Sequence, residues 1–273
     1  MYGGEEEDTT SASTSTSDTT QDWITIQDSL KKRLITEDDF AWKLPQHGIK
    51  SSSSVTFAEQ EEVLKYVGGV DVSYSKEEPS VAFAILVVLD VESLQVVYHD
   101  FSLVTPTVPY IPGFLAFREA PILLQLLEKM KDSSSSFYPQ VSPLLVPLLG
   151  FGLACHLGVL ADLPTIGIGK NLHHVDGLTH TGLRQLIESK ENSGEDFVTL
   201  IGRSGFIWGA AMRSTEGSVK PIFISIGHRV SLGTAIKVVK LTCKYRVPEP
   251  IRQVRLLASE ILKLNSIFNG LSR

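Results

Sequence analysis

Apolar residues fall in runs along this chain, and their period switches between that of a strand and that of a helix. Three strand-like runs follow closely on one another: Tyr66–Tyr74, Val81–Leu89 and Leu94–Val104. The second, VAFAILVVL, is nearly all apolar, as a strand buried on both faces should be. Short turns at Lys76–Pro79 and Asp90–Ser93 predict antiparallel hairpins or a meander. A helix is predicted from Gly113 to about Lys131, ending in the serines at 133–136. GFGLACHLGVLAD then reads as a helix and PTIGIGKNL as a strand. Two further strands are expected at 197–202 and 206–213. The strand FISIG runs straight into His228, before a helix from about Ser231 to Lys244.

Two stretches read less regularly. Residues 23–44 place apolar positions around Lys31, Lys32 and Arg33, which predicts an N-terminal helix, or two short ones, on the domain edge. SPLLVPLL, Ser142–Leu149, is apolar but contains Pro143 and Pro147. Each proline removes a ladder donor, which argues against a central strand there. Three strands, a helix, then alternating helices and strands predict an α/β fold with a mixed sheet. The four serines at 51–54 read as a flexible link, and no internal repeat is evident.

Charge alters this picture at the two ends. The 273 residues carry a formal net charge of −6. Six acidic groups and no Lys or Arg lie in the first 22 residues, otherwise rich in Ser, Thr and Gly. Such a segment buries too little apolar surface to offset its ordering entropy, so disorder is expected for residues 1–22. The rest is balanced, but from Lys220 to Arg273 ten basic residues face two glutamates. A basic C-terminal third fits phosphate contact; a solvated helix face is the other reading. The N-terminus has neither the pattern of a signal peptide nor that of a transit peptide, and no stretch is apolar enough to span a bilayer. Cys155 and Cys243 have no zinc spacing, which points to a reducing intracellular compartment.

Candidate chemistry begins with Asp71, inside the apolar run GGVDVSY. A strand-interior aspartate is disfavoured unless something pairs with it, and a metal ion is one candidate. The second feature is VPYIPGFLAFREAP, Val108–Pro121. Pro109 and Pro112 fix the backbone around Tyr110 and Ile111, so the ring is held out, and Glu119 follows early in the predicted helix. Lys170 in GIGK is not a P-loop lysine, since Pro164 stands at the required glycine and Asn171 follows the lysine. His173, His174 and Asp176 resemble a metal cluster. Adjacent histidines in an extended segment point to opposite sides, however, so they are read as surface residues.

Taken together, GGVDVSY at 68–74, VPYIPGFLAFREAP at 108–121, GFGLACHLGVLADLPTIGIGKNL at 150–172, ISIGHRVSL at 224–232 and YRVPEPIR at 245–252 resemble the endonuclease V family. The resemblance implies a ribonuclease H-like mixed sheet flanked by helices, with a nuclease domain over residues 23–252. It also implies Mg²⁺-dependent cleavage, with Mn²⁺ as a substitute, at the second phosphodiester 3′ to inosine or deoxyinosine, leaving a 5′-phosphate. By the same resemblance Asp71 and Glu119 are metal ligands, and His228 helps handle the nucleophilic water. Lys170 contacts phosphate or stabilises the transition state, and Tyr110, within Pro109–Pro112, wedges beside the lesion. The implied partners are inosine-containing single-stranded RNA or deoxyinosine-containing DNA, with no protein partner and no membrane. The implied location is the nucleus, nucleolus and cytoplasm.

The chain departs from the family pattern twice. A family segment like LLVDGNGVLHPRG, which carries a metal-binding aspartate, is replaced by the shorter SPLLVPLL, with no Asp, Glu, His, Asn or Arg. After YRVPEPIR, which ends at Arg252, residues 253–273 form a divergent C-terminal extension, and beyond Gln253 nothing matches the pattern. Impaired cleavage is therefore expected, and a catalytically inactive module that still binds inosine-containing strands is the alternative.

Overall fold

The outermost strand on one side of the sheet descends from a meander. In the computed structural model, which describes residues 11–45, 62–75, 78, 80–133, 135–146, 150–190, 196–215, 218 and 220–271, β1 (Tyr66–Tyr74), β2 (Ala82–Asp90) and β3 (Val96–Val104) pair antiparallel in sequence order. The predicted runs hold to within about two residues at these ends. β2 is buried along eight of its nine positions, as its continuous apolar run requires.

After helix α2 (Leu115–Asp132) the chain crosses to the other side of β1. There β4 (Ser142–Leu145) and β5 (Thr165–Gly169), separated by α3 (Leu153–Ala161), run parallel to β1. Helix α4 (His180–Lys190), β6 (Phe197–Ile201), β7 (Ile207–Met212), β8 (Ile222–His228), α5 (Leu232–Thr242) and α6 (Glu249–Leu271) complete the described elements, after an N-terminal α1 (Ser11–Lys31). The sheet order is β3-β2-β1-β4-β5-β8-β7-β6, with β5, β8, β7 and β6 antiparallel to one another in turn. This is the mixed, ribonuclease H-like α/β sheet that was expected.

Strand alternation sorts the helices onto two faces. Val70, Val72, Leu86 and Val88 pack with Leu123 and Leu127 of α2 and with Leu157 of α3. Phe83, Ile85, Val87 and Leu89 point the other way, onto Val254, Ala258 and Ile261 of α6. Helix α4 packs through Leu183 on Leu200 and Phe223, and α5 packs on the face of Ile168 and Ile224.

Three expectations change. Residues 1–10 lie outside the described residues, but Ser11–Asp22, expected to be disordered, are helical. They continue the turn set by Trp23, which stacks on Phe117 of α2 at 5.0 Å and 8°. A helix nucleated by such a contact adds one hydrogen bond for each further residue fixed. The second correction is SPLL, which forms a central strand despite Pro143. The amides of Ser142 and Val146 donate to the β5 side (the carbonyls of Pro164, just before β5, and of Ile168 within it, both 2.9 Å), so alternation turns the Pro143 nitrogen towards β1. On that side β4 pairs only at Val70↔Leu144, beyond a bridge Val67↔Val141, and the missing donor falls in the gap. Pro147 and the serines 51–54 lie outside the described residues. The third is α4, absent from the pattern reading because HTGLRQLIESK is mostly polar.

Candidate active site

Asp71 lies in β1 level with the end of β4. Its antiparallel partner is Ile85, so its side chain is on the α6 face. Burial pushes its carboxyl up to about 6, while the Val72 amide and the charge of Arg255 on α6 pull it down. Glu119 comes from α2, on the opposite face, and is 6% exposed. Burial first, and the Asp71 carboxylate second, push it up to about 7. The Tyr74 hydroxyl donates to Glu119 Oε1 at 3.2 Å, and the Arg118 guanidinium stacks over the Tyr74 ring at 4.5 Å. Tyr74 and Arg118 both favour the ionised Glu119; burial and the neighbouring carboxylates raise the Tyr74 phenol in turn.

Two partly desolvated carboxylates, one close enough to oppose the ionisation of the other, fit an oxygen-preferring divalent cation. No cluster of three or more His, Cys, Asp or Glu forms among the described residues. Asp71 and Glu119 are the carboxylates here that could hold such an ion, with water and phosphate oxygens completing its shell.

The aromatic corner lies just ahead of α2. Tyr110 is 61% exposed. The Phe114 amide donates to the Ile111 carbonyl at 3.0 Å, and Gly113 adopts φ +87°. Pro112 followed by a left-handed Gly113 is the sequence of a type II turn, which fixes the exit of Pro109–Pro112 into the helix. Within α2, Pro121 has no amide to offer the Phe117 carbonyl one turn earlier. Beneath the corner, His156 of α3 lies edge-on to Phe117 at 4.8 Å, and its buried Nδ1 has no hydrogen-bond partner among the described residues. Burial holds His156 down at about 4, so it is neutral at ordinary pH.

Lys170 follows the last residue of β5. Asp71 is level with Ile168 through the β1–β4–β5 register, so Lys170 is at the same end of the sheet, roughly 12 Å away by strand spacing and rise. Arg246 pins this end: its Nη2 donates to the Lys170 and Pro221 carbonyls at 2.7 and 2.9 Å, and its Nε to the Lys220 carbonyl at 3.0 Å.

His228 is not brought to the carboxylates. It pairs with Thr165 at the start of β5, three strands and about four residues from the level of Asp71, or roughly 20 Å. Its Nδ1 accepts the Ile35 amide at 3.2 Å, and its Nε2 lies 3.9 Å from Asp162. Burial, more than any other cause, lowers its pKa. The group that α6 does bring near Asp71 is Arg255, which no motif signalled. Tyr74 and Arg118 were inside the family motifs but carried no assigned role. Asp176, read as a surface residue, anchors a turn by accepting from the Ser204 amide and the Trp208 indole, at 3.1 and 3.0 Å.

A ribonuclease H-like sheet with two partly desolvated carboxylates beside the carboxyl ends of its parallel strands defines a class of hydrolytic nucleases. Within that class the chain belongs to the endonuclease V family, whose model, described as Endonuclease V, matches residues 49–255. The human Endonuclease V is 44% identical over 207 residues, covering 73% of this chain and 72% of the human protein. The mouse Endonuclease V is 39% identical over 245 residues, covering 88% and 69%. The crystal structure of the human catalytic domain superposes with a TM-score of 0.77 at 37% identity, over 91% of this chain and 97% of that one. The Ciona intestinalis Endonuclease V, solved with a DNA containing an inosine followed by a ribo-adenosine, gives 0.76 at 32% identity, over 90% and 98%.

Proposed function

We infer that this chain recognises inosine-containing single-stranded RNA or deoxyinosine-containing DNA and that its hydrolytic centre is the Asp71–Glu119 pair. The observation that carries this reading is a pair of partly desolvated carboxylates beside the ends of β1, β4 and β5, with Asp71 near enough to push the Glu119 carboxyl up. Asp71 and Glu119 would hold Mg²⁺, or Mn²⁺ in its place; such an ion activates water and neutralises charge developing on phosphate. Tyr110 stacks beside the lesion while the base leaves the strand. The turn through Pro112 and Gly113 keeps Pro109, Tyr110 and Ile111 in place for that contact. Lys170 contacts phosphate, held by the three carbonyl bonds of Arg246. His228, its pKa lowered chiefly by burial, fastens the N-terminal segment by accepting the Ile35 amide.

Cleavage by this chain is impaired in the same reading. Leu144-Leu145-Val146 corresponds to the LLV that precedes an aspartate in the family segment, and here Pro147 follows. The cation of Arg255 competes with a metal ion for Asp71. Those two observations favour the second reading, a module that binds inosine-containing strands without cutting them. The chain acts inside the cell, in nucleus, nucleolus and cytoplasm; among the described residues no helix is long and apolar enough to cross a membrane.

The test compares the chain with a variant in which residues 147–149 are replaced by a DGNG-type turn. Both are given inosine-containing RNA and DNA, with Mg²⁺ or with chelator. Binding without appreciable cutting by the chain, and Mg²⁺-dependent cutting by the variant, is the expected result. Equal, robust Mg²⁺-dependent cutting by both would place the catalytic centre elsewhere, and no binding by either would reject the function.

A further inference from the structure

Beyond Lys170 the surface opens into a groove of about 840 Å³ between α4 and the β5–β8 end of the sheet. Its floor is apolar, made by Leu172, Leu183 and Phe223, each largely buried. Its rim is cationic, with Lys170, Arg184, Arg213 and Lys220 around one acidic group, Glu188. Glu188 is already paired to Arg184 at 2.9 Å, one helical turn away on an exposed face. Arg246 also lines the groove, but its guanidinium donates to backbone carbonyls, so it shapes the wall.

An apolar floor beneath a cationic rim matches the two parts of a nucleotide. The phosphates are neutralised by Lys and Arg, and an unstacked base covers the apolar surface. A base held in a duplex could not reach such a floor, so the geometry favours a single strand. The volume lies in the range of pockets that enclose a drug-sized molecule, enough for an unstacked nucleotide. Lys170, on its lining, is roughly 12 Å from Asp71 by strand spacing and rise. A strand crossing the carboxylate pair can therefore continue into it.

We propose that this groove is a subsite for single-stranded nucleic acid flanking the lesion, with a base on Leu172, Leu183 and Phe223 and its phosphates at Arg184 and Lys220. The proposal rests on the inosine-strand reading above. It assigns to α4 a binding role separate from lesion recognition by Tyr110.

The test measures fluorescence anisotropy of a short single-stranded RNA bearing one inosine, against the full chain at several salt concentrations. The variants are Arg184→Glu/Lys220→Glu, the neutral Arg184→Gln/Lys220→Gln, and a charge-matched control, Lys129→Glu/Lys131→Glu, at the far end of α2. Melting curves establish that each is folded. The groove variants should bind roughly tenfold more weakly, with a salt slope shallower by about 0.7 for each phosphate that is no longer neutralised. The control should be nearly unchanged. Folded groove variants with wild-type affinity and salt slope would overturn the subsite while leaving the proposed function standing. So would an equal loss of affinity in the control. A wild-type chain that binds no strand at all would reject the function and the subsite together.

Discussion

Glu119 is pushed up to about 7, so around neutral pH the native chain retains a proton that the unfolded chain releases. The unfolded glutamate titrates near its ordinary value of 4.5. Between these values the folded state binds more protons, so this group's contribution to stability falls as pH rises from about 4.5 to about 7. Glu119→Gln removes that cost. It should stabilise the folded chain by roughly 3 kcal/mol at neutral pH and by almost nothing near pH 4. Urea unfolding at the two pH values checks this, and a variant no more stable than wild type at neutral pH would contradict the assigned environment. Tyr110 makes a different prediction. Tyr110→Ala should weaken preference for inosine over guanosine more than general binding, since stacking is worth roughly 1–3 kcal/mol per base whereas phosphate contacts supply the rest. An unchanged ratio of the two affinities would remove Tyr110 from lesion recognition. Asp71 and Glu119 stand out in the sequence because a strand aspartate and a helix glutamate lie inside specific motifs. The position of His228 relative to the carboxylates could not be read from sequence, because a histidine ending a strand does not reveal which end of the sheet that strand reaches.

Among the elements, α6 depends on a glycine. A Cβ on Gly69 would stand 2.6 Å from the Pro250 carbonyl oxygen and 2.8 Å from its carbon, both backbone atoms that cannot rotate away. Gly69→Ala should therefore lift α6 from β1 and cost about 1–3 kcal/mol, as other overpacked positions do. It should also move Arg255 away from Asp71. Thermal unfolding gives the cost, and a melting temperature equal to wild type would show that α6 does not dock as described. The meander, α2, α3 and β5 could be read from periodicity because their apolar patterns are strong. β4 could not, because the rule against proline in a central strand assumes that both edges of the strand are fully bonded. Here the Pro143 nitrogen faces the sparse β1 side. Helix α4 escaped because only Leu183 and Ile187 of its residues pack inward, Ile187 in part.

For the whole molecule, the mixed sheet gathers the carboxylates and Lys170 towards the carboxyl ends of its parallel strands, where open α/β sheets carry their sites. The order of the strands puts His228 at the other end, and the phase of α6 puts Arg255 beside Asp71. Neither fact is local, which is why no motif carried it. The central claim is that Asp71 and Glu119 form the metal-holding centre of this chain. Its most direct test is calorimetric titration of Mn²⁺ into the wild-type chain and into Asp71→Ala, each judged folded by circular dichroism. The account predicts measurable binding to wild type that disappears in the variant, and equal Mn²⁺ affinity in the folded variant would contradict it.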